Sequence, residues 1–229
     1  MIPNSHLLEI NVSPKSVFCF DLDDTLYKER DYLRSGFSHI AQQFDGHQWL
    51  SLLQKMLGWY DNHCDVFASL LAEFPDSGYS KEHCLNWYRF HIPDIKLDEA
   101  TKKFLFSLKA YQVKTALITD GRSITQRNKL KALGLATYFD ELVISEEIGS
   151  EKPSEKNFKI IEEKFGEGDY IYFGDNYKKD FVMPNKLGWL TVAISGDKCN
   201  IHVTDHKALP REYLPRFEIE SLSFIQLTK

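Results

Sequence analysis

The sequence predicts an α/β fold: a doubly wound parallel sheet covered by helices, with an all-helical domain inserted near its start. Five short apolar runs alternate with amphipathic helical patterns, which is typical of right-handed βαβ units. About ninety residues separate the first two runs, far more than one crossover needs. Hydrophobic residues make up 43% of the 229 residues, enough for a packed core. The core is therefore expected to be Rossmann-like.

The apolar runs are nearly continuous, as expected for strands buried on both faces of a parallel sheet. The predicted strands are Val17–Phe20, Thr115–Ile118, Leu142–Ile144, Tyr170–Phe173 and Leu190–Ile194. Helices are predicted over Thr101–Tyr111, from Ser123 to Gly134, from Pro153 to Gly166 and over Asp180–Leu187. Ser123 and Gln126 have the spacing of a capping box, and glycines end three of these helices.

The long insertion predicts a domain of its own. Residues 28–100 contain four amphipathic patterns, so we assign them to a helical domain and residues 1–27 and 101–229 to the core. The first pattern includes Tyr32, Leu33 and Phe37. The other three are Trp49–Tyr60, Val66–Phe74 and Cys84–Phe90. The many aromatic rings either form a substrate pocket or hold the helices together, and packing is the more common role.

Composition and charge exclude several classes of protein. The net charge of −5 gives no indication of a nucleic-acid partner, and no apolar stretch is long enough to cross a membrane. The N-terminal residues show neither a basic flank nor an apolar run, so we expect a cytoplasmic location. The four cysteines, at 19, 64, 84 and 199, lack metal-ligand spacing and are expected to be reduced.

Three carboxylates lie within four residues at the end of the first predicted strand. Asp21 and Asp23 point the same way if the chain stays extended, so one can act as a nucleophile and the other as a general acid/base. Mutual repulsion calls for a cation, and Mg²⁺ is the expected partner of such hard oxygen ligands. The alternative is an acidic turn that only caps the next helix.

Three later segments add polar groups at comparable places. Thr119 ends the second strand and is followed by Asp120. Lys152 precedes a helix, and Asp175 and Asp180 follow the fourth strand. Each segment alone fits a simple turn or a solvated loop. In an open α/β sheet, however, ligands bind at the carboxyl ends of strands, so the four segments converge if the first strand lies between the second and the fourth.

These four segments, in this order, resemble the motifs of the haloacid dehalogenase-like hydrolase superfamily, in its phosphatase branch with a helical cap of the C1 type. The DxDxT pattern at Asp21–Thr25 and the Gly-Asp pattern ending at Asp180 are its most specific features. The likeness extends from about Val17 to Phe224. It implies that the residues after Phe217 form a late strand and a closing helix.

The resemblance also implies roles for individual residues. Asp21 would form an aspartyl-phosphate, and Asp23 would serve as the acid and then the base. It further implies one set of residues around the phosphoryl group and another around Mg²⁺. Thr119, Asp120, Lys152 and Leu22 would hold the phosphoryl group, and Asp21, Asp23, Asp175 and Asp180 would surround the metal.

The resemblance implies a phosphatase acting on a small-molecule phosphate ester such as a sugar phosphate or nucleotide. Dehalogenases of the family lack the second acid, so Asp23 disfavours a carbon–halogen substrate. Asp120 stands where many relatives have asparagine, and the effect of its charge is open. A phosphomutase and, less favoured, a non-catalytic binding protein remain alternatives. Either a monomer or a homodimer is compatible with the sequence.

Overall fold

The computed structural model describes residues 7–196, 200 and 209–229. Its strands are β1 (Leu8–Asn11), β2 (Ser16–Phe20), β3 (Lys114–Thr119), β4 (Glu141–Ile144), β5 (Asp169–Gly174), β6 (Leu190–Ile194), β7 (Phe217–Ile219) and β8 (Ile225–Thr228). Its helices are α1 (Glu29–Phe44), α2 (Trp49–Asp61), α3 (Val66–Glu73), α4 (Lys81–Phe90), α5 (Glu99–Tyr111), α6 (Ser123–Ala132), α7 (Ser145–Ile148), α8 (Glu155–Phe165) and α9 (Val182–Lys186). All five predicted strands lie within observed ones.

The main sheet has six parallel strands in the order β4-β3-β2-β5-β6-β7. The α/β fold with its parallel sheet is thereby confirmed. Strand β2 lies between β3 and β5, which is the arrangement that the convergence of the four segments required. The chain therefore leaves the sheet in opposite directions on either side of β2. Such a switch point opens a crevice at the carboxyl ends of the strands.

Strand β2 is buried on both faces because its side chains alternate between two apolar clusters. Phe18 and Phe20 pack on one face against Phe104 of α5 and Phe173 of β5, with ring centroids 5.0–6.3 Å apart. Cys19 belongs to the cluster on the opposite face. This double burial fixes the position of the residues that follow Phe20.

Helices α1 to α4 share an apolar cluster that is distinct from the two clusters of the sheet. Ile40, Met56 and Leu70 are fully buried within it. The tryptophans of the insertion, Trp49, Trp59 and Trp87, pack around the same cluster, so their rings hold the four helices together.

Two local predictions were wrong. Ser123 does not cap α6: Arg122 occupies the N-cap, and Gln126 turns inward instead of closing a capping box. The residues after β7 form a 3₁₀ turn at Leu222–Phe224 and then β8, not a closing helix. β8 pairs in parallel with β1. Both strands alternate apolar and polar residues, but each has only four residues, which is a weak signal in the sequence.

Two further expectations concern features outside the fold itself. Among the described residues, none of the helices combines the length and apolar character that a membrane crossing requires. Cys19, Cys64 and Cys84 are free thiols, as expected, and Cys199 lies outside the described residues.

Candidate active site

The four predicted segments meet at one cavity of about 200 Å³ at the carboxyl ends of the strands. Its lining consists of Asp21, Asp23, Glu29, Thr119, Asp120, Lys152, Asp175, Asn176, Lys179 and Asp180. Seven of the eight residues singled out from the sequence are in this set. The eighth, Leu22, does not line the cavity, and its side chain is fully buried in the apolar core.

The loop after β2 turns sharply to present Asp21 and Asp23. Asp24 has a φ of 54°, a left-handed conformation that aspartate tolerates better than most residues. Its carboxylate accepts the backbone N–H of Glu29 at 2.9 Å and so caps the start of α1. Thr25 donates its hydroxyl to Asp21 over 3.5 Å. The turn thus directs the chain from the sheet into the inserted helices.

Lys152 joins the first and last segments. Its Nζ lies 2.5 Å from Asp21 Oδ1 and 2.7 Å from Asp180 Oδ1, and all three side chains are buried. Burial alone lowers the pKa of Lys152, but the carboxylates of Asp180 and Asp21 raise it well above its usual value. The lysine is therefore held as a cation at the centre of the carboxylate group.

Asp180 organises the loop that carries Asp175. Its Oδ2 accepts the backbone N–H groups of Asp175 and Asn176 at 3.1 and 2.8 Å. A side chain at Gly174 would place a Cβ 2.6 Å from that same oxygen, so glycine is required for this close approach. Asp180 thus fixes both the loop and Lys152.

Carboxylate oxygens of Asp21, Asp175 and Asp180 lie within 4.8 Å of one another. Asp175 Oδ2 is buried and has no hydrogen-bond partner in the described part of the chain. Burial, together with the charges of Asp180 and Asp21, raises the pKa of Asp175 to about 10. Burial likewise raises the pKa of Asp21 to about 8, although Lys152 opposes the shift. One lysine does not balance three acids, and the donor set fits a hard divalent cation.

Asp120 uses its extra charge within the site. Its Oδ1 accepts the backbone N–H of Lys152 at 3.0 Å, and its Oδ2 forms an ion pair with Lys179 at 2.9 Å. Thr119, beside it, is buried at the end of β3. The carboxylate of Asp120 is therefore compensated by a lysine that also lines the cavity.

Asp23 faces a different set of partners. Lys129 Nζ lies 2.7 and 2.8 Å from its two oxygens, Gln126 donates to it at 3.0 Å, and Tyr27 donates its hydroxyl. Burial raises the pKa of Asp23, but Lys129 and the hydrogen bonds outweigh it and lower the pKa overall. Sequence reasoning missed Gln126 and Lys129. Their three-residue spacing on the helix after Thr119 was the available signal.

Known proteins resemble this chain in sequence over most of its length. The family model described as haloacid dehalogenase-like hydrolase matches residues 18–194. The chain is 28% identical over 188 residues to glyceraldehyde 3-phosphate phosphatase of Methanocaldococcus jannaschii, covering 76% of this chain and 82% of that protein.

Two solved structures show the same fold. A HAD-hydrolase of Bacillus subtilis, solved with magnesium, has a TM-score of 0.60 at 19% identity and covers 92% of this chain and 96% of its own. A protein described as a beta-phosphoglucomutase of Thermotoga maritima has a TM-score of 0.60 at 18% identity, with coverage of 91% and 95%. Family model, fold and strand-end motifs agree, and the chain belongs to the haloacid dehalogenase-like hydrolase family.

Proposed function

We propose that the protein is a Mg²⁺-dependent phosphatase that hydrolyses a small phosphate monoester through an aspartyl-phosphate on Asp21. The observation that carries the proposal is the convergence of Asp21, Lys152, Asp175 and Asp180 in one small cavity, with Thr119 and Asp23 at its wall. The M. jannaschii relative, whose name is that of a phosphatase, supports the same class of reaction.

In the first half-reaction, a carboxylate oxygen of Asp21 attacks phosphorus in line with the ester bond. The phosphorus–oxygen ester bond breaks, and the leaving oxygen takes a proton from Asp23. Lys152 and the hydroxyl of Thr119 hold the phosphoryl oxygens as charge spreads over them. Positioning and charge neutralisation supply most of the acceleration in such transfers.

In the second half-reaction, Asp23 takes a proton from a water molecule, and this water attacks phosphorus from the side opposite to Asp21. The bond between phosphorus and Asp21 breaks, and inorganic phosphate leaves with Asp21 regenerated. The two acids therefore have separate duties. The structure gives them separate partners: Asp21 contacts Lys152, and Asp23 contacts Lys129.

Asp21 and Asp175 are the side chains that would hold Mg²⁺, with the backbone carbonyl of Asp23 and with Asp180 nearby. The bound ion would offset the repulsion between the carboxylates and the phosphoryl oxygens. The buried Oδ2 of Asp175 supports this assignment, since it has no hydrogen-bond donor among the described residues. Both oxygens of Asp180 already accept hydrogen bonds, which favours an indirect role for that residue.

Residues 28–100 would act as a cap over the cavity, with residues 1–27 and 101–229 forming the catalytic core. The separate apolar cluster of α1 to α4 supports this division, and Glu29 brings the start of α1 to the cavity wall. The cavity is smaller than the roughly 300–1,000 Å³ of typical ligand sites, which favours a compact substrate. The cavity would hold the phosphoryl end of a sugar phosphate or a nucleotide, with the rest of the substrate outside it.

A phosphomutase is the second candidate, supported by the fold likeness to the T. maritima protein. A mutase would return the phosphoryl group to the substrate and not to water. Measuring inorganic phosphate release beside isomer formation on sugar phosphates separates the two activities.

The covalent role of Asp21 is tested with Asp21→Asn and a generic phosphate ester in the presence of Mg²⁺. Loss of a nucleophile should lower kcat by several factors of ten, and radiolabelled phosphate should no longer be trapped on the acid-quenched protein. Glu167→Gln, at a 92% exposed side chain, is the matched control and should behave as wild type. More than about a tenth of the wild-type rate in Asp21→Asn would contradict the proposal.

The substrate itself is found by ranking kcat/KM over phosphorylated sugars, nucleotides and small three-carbon phosphates. Absence of turnover with every ester would favour the remaining alternative, a protein that binds without catalysis.

A further inference from the structure

Asp23 is held by side chains that the four motifs do not contain. Lys129 places its ammonium 2.7 and 2.8 Å from the two carboxylate oxygens, a nearly symmetrical contact. The two side chains are only 5% and 19% exposed. Because a buried ammonium is costly without a partner, this pair is constrained to one geometry.

Lys129 also contacts an aromatic ring of the inserted helices. Its Nζ lies 4.4 Å from the centre of the Tyr32 ring in α1. Tyr32 in turn donates its hydroxyl to the backbone carbonyl of Tyr88 at 2.8 Å. The ammonium therefore contacts both a carboxylate of the core and a ring of the inserted helices, and the two contacts leave it little freedom to move.

Gln126 ties Asp23 to the phosphate-binding segment. Its side-chain nitrogen lies 3.0 Å from Asp23 Oδ2, 2.5 Å from Thr119 Oγ1 and 3.0 Å from the carbonyl of Asp120. Residues 126 and 129 are almost one turn apart on α6, so a single helix face carries both.

We propose that Lys129 is a positioning residue for proton transfer, which holds the Asp23 carboxylate in the orientation that the leaving oxygen requires. The inference rests on the proposed function, since it concerns the acid/base of that reaction. Among the described residues, Lys129 forms its ion pair with Asp23 and none with Asp21, Asp175 or Asp180. Its effect on the reaction therefore passes through Asp23.

A leaving group that needs no proton separates this role from a general structural one. The leaving group of an alkyl phosphate is a strongly basic alkoxide, so its departure depends on a proton from the acid. The leaving group of 4-nitrophenyl phosphate is a stable phenolate, which needs no proton. We expect Lys129→Met to lower kcat/KM for an alkyl phosphate by about a hundredfold and for the nitrophenyl ester only a few-fold. Removal of the cation also lets the pKa of Asp23 rise, but the loss of orientation outweighs that gain in the protonated acid. Lys129→Arg should recover part of the loss, because it restores the cation.

Lys131→Met is the matched control, since Lys131 is an exposed lysine on the same helix. It should leave both substrates unaffected. Circular dichroism and thermal melting confirm that each variant is folded under the assay conditions.

A double-mutant cycle keeps the test independent of any loss of stability in Lys129→Met. Asp23→Asn removes the acid, and the double variant removes both charges of the pair, so it leaves no unpaired buried charge. If Lys129 acts through Asp23, adding Lys129→Met to Asp23→Asn should cost no further activity on the alkyl phosphate.

Equal losses on both esters, or additive losses in the cycle, overturn the inference while leaving the phosphatase proposal intact. Failure of the wild-type protein to turn over either ester overturns the proposed function and the inference with it.

Discussion

Asp120 shows how the charge of a single carboxylate is compensated within the site. One oxygen holds the backbone of Lys152 and the other pairs with Lys179, whose side chain is 40% exposed. An exposed pair of this kind contributes at most about 1 kcal/mol. The carboxylate is thus mainly an acceptor for the Lys152 backbone, a task that an amide oxygen performs equally well.

Asp120→Asn should therefore change kcat/KM by no more than about threefold, whereas Asp120→Ala should lower it further because the Lys152 backbone loses its acceptor. Steady-state kinetics on one phosphate ester at low and high salt measures both. A large loss in Asp120→Asn would show that the charge itself takes part in the reaction.

Glu29, at the cavity wall, destabilises the folded protein when its carboxylate is ionised. It makes no hydrogen bond through its carboxylate within the described residues, and burial, followed by the charge of Asp23, raises its pKa to about 7 against the opposing effect of Lys129. The folded state thus binds this proton more tightly than the unfolded chain. Stability is consequently lost as the pH rises from about 4.5 towards 7.

Glu29→Gln should raise the free energy of unfolding by about 1–3 kcal/mol at pH 8 and by less at pH 5. Urea denaturation at the two pH values measures the difference. Glu82→Gln, an exposed first-turn glutamate of α4, is the control and should show no such dependence. A gain independent of pH would contradict the electrostatic cause.

At the scale of secondary structure, the site depends on how closely the end of β5 approaches the loop that follows it. Gly174 is the last residue of β5, and the carboxylate of Asp180 lies directly over its Cα. A methyl group there would lie 2.6–2.8 Å from three atoms of Asp180, well inside contact distance. The strand and the loop therefore fit only with glycine.

Gly174→Ala should displace Asp180, weaken its hold on Lys152 and the Asp175 loop, and lower kcat by about a hundredfold. Stability should fall by about 1–3 kcal/mol. Gly58→Ala in α2 is the control: nothing lies within 4 Å of the added Cβ, and the helix should gain up to about 1 kcal/mol. Wild-type activity in Gly174→Ala would contradict the proposed role of Asp180.

Helix α6 illustrates why a local motif was misinterpreted. The Ser123–Gln126 spacing satisfies the pattern of a capping box, but Ser123 donates to Glu147 and Gln126 reaches Thr119 and Asp23. A glutamine with buried acceptors nearby gains more there than at a solvated helix end. The partner that decided the outcome lies 103 residues away.

For the molecule as a whole, the buried carboxylates make the metal-free fold less stable as the pH rises. The pKa of Asp175 moves from 3.8 to about 10 on burial beside Asp180 and Asp21, so its folded form holds a proton across neutral pH. The contribution of Asp175 to the free energy of unfolding therefore falls progressively as the pH rises from about 3.8 to about 10. A divalent cation would replace the proton.

Mg²⁺ should therefore raise the melting temperature at pH 8, by an amount equivalent to about 2.7 kcal/mol at a hundred times its Kd. Asp175→Asn should melt higher than wild type without metal and lose the response to Mg²⁺. Differential scanning calorimetry with EDTA and with Mg²⁺ measures both effects. An undiminished response in the variant would assign the ion to another site.

The sequence by itself determined the strands and the motif residues, because continuous apolar runs followed by acids and hydroxyls are local patterns. It also gave the condition for convergence, β2 between β3 and β5, and the structure confirmed it. The inserted helices were equally predictable from their apolar spacing.

Only the tertiary structure decided the partners of those residues. Lys129 and Asp23 are 106 residues apart, and Lys179 and Asp120 are 59 apart, so no local pattern links either pair. The pairing of β1 with β8 has the same origin, since it joins the two ends of the chain. Side-chain spacing identifies the face of a helix or strand, but long-range packing decides which charge that face meets.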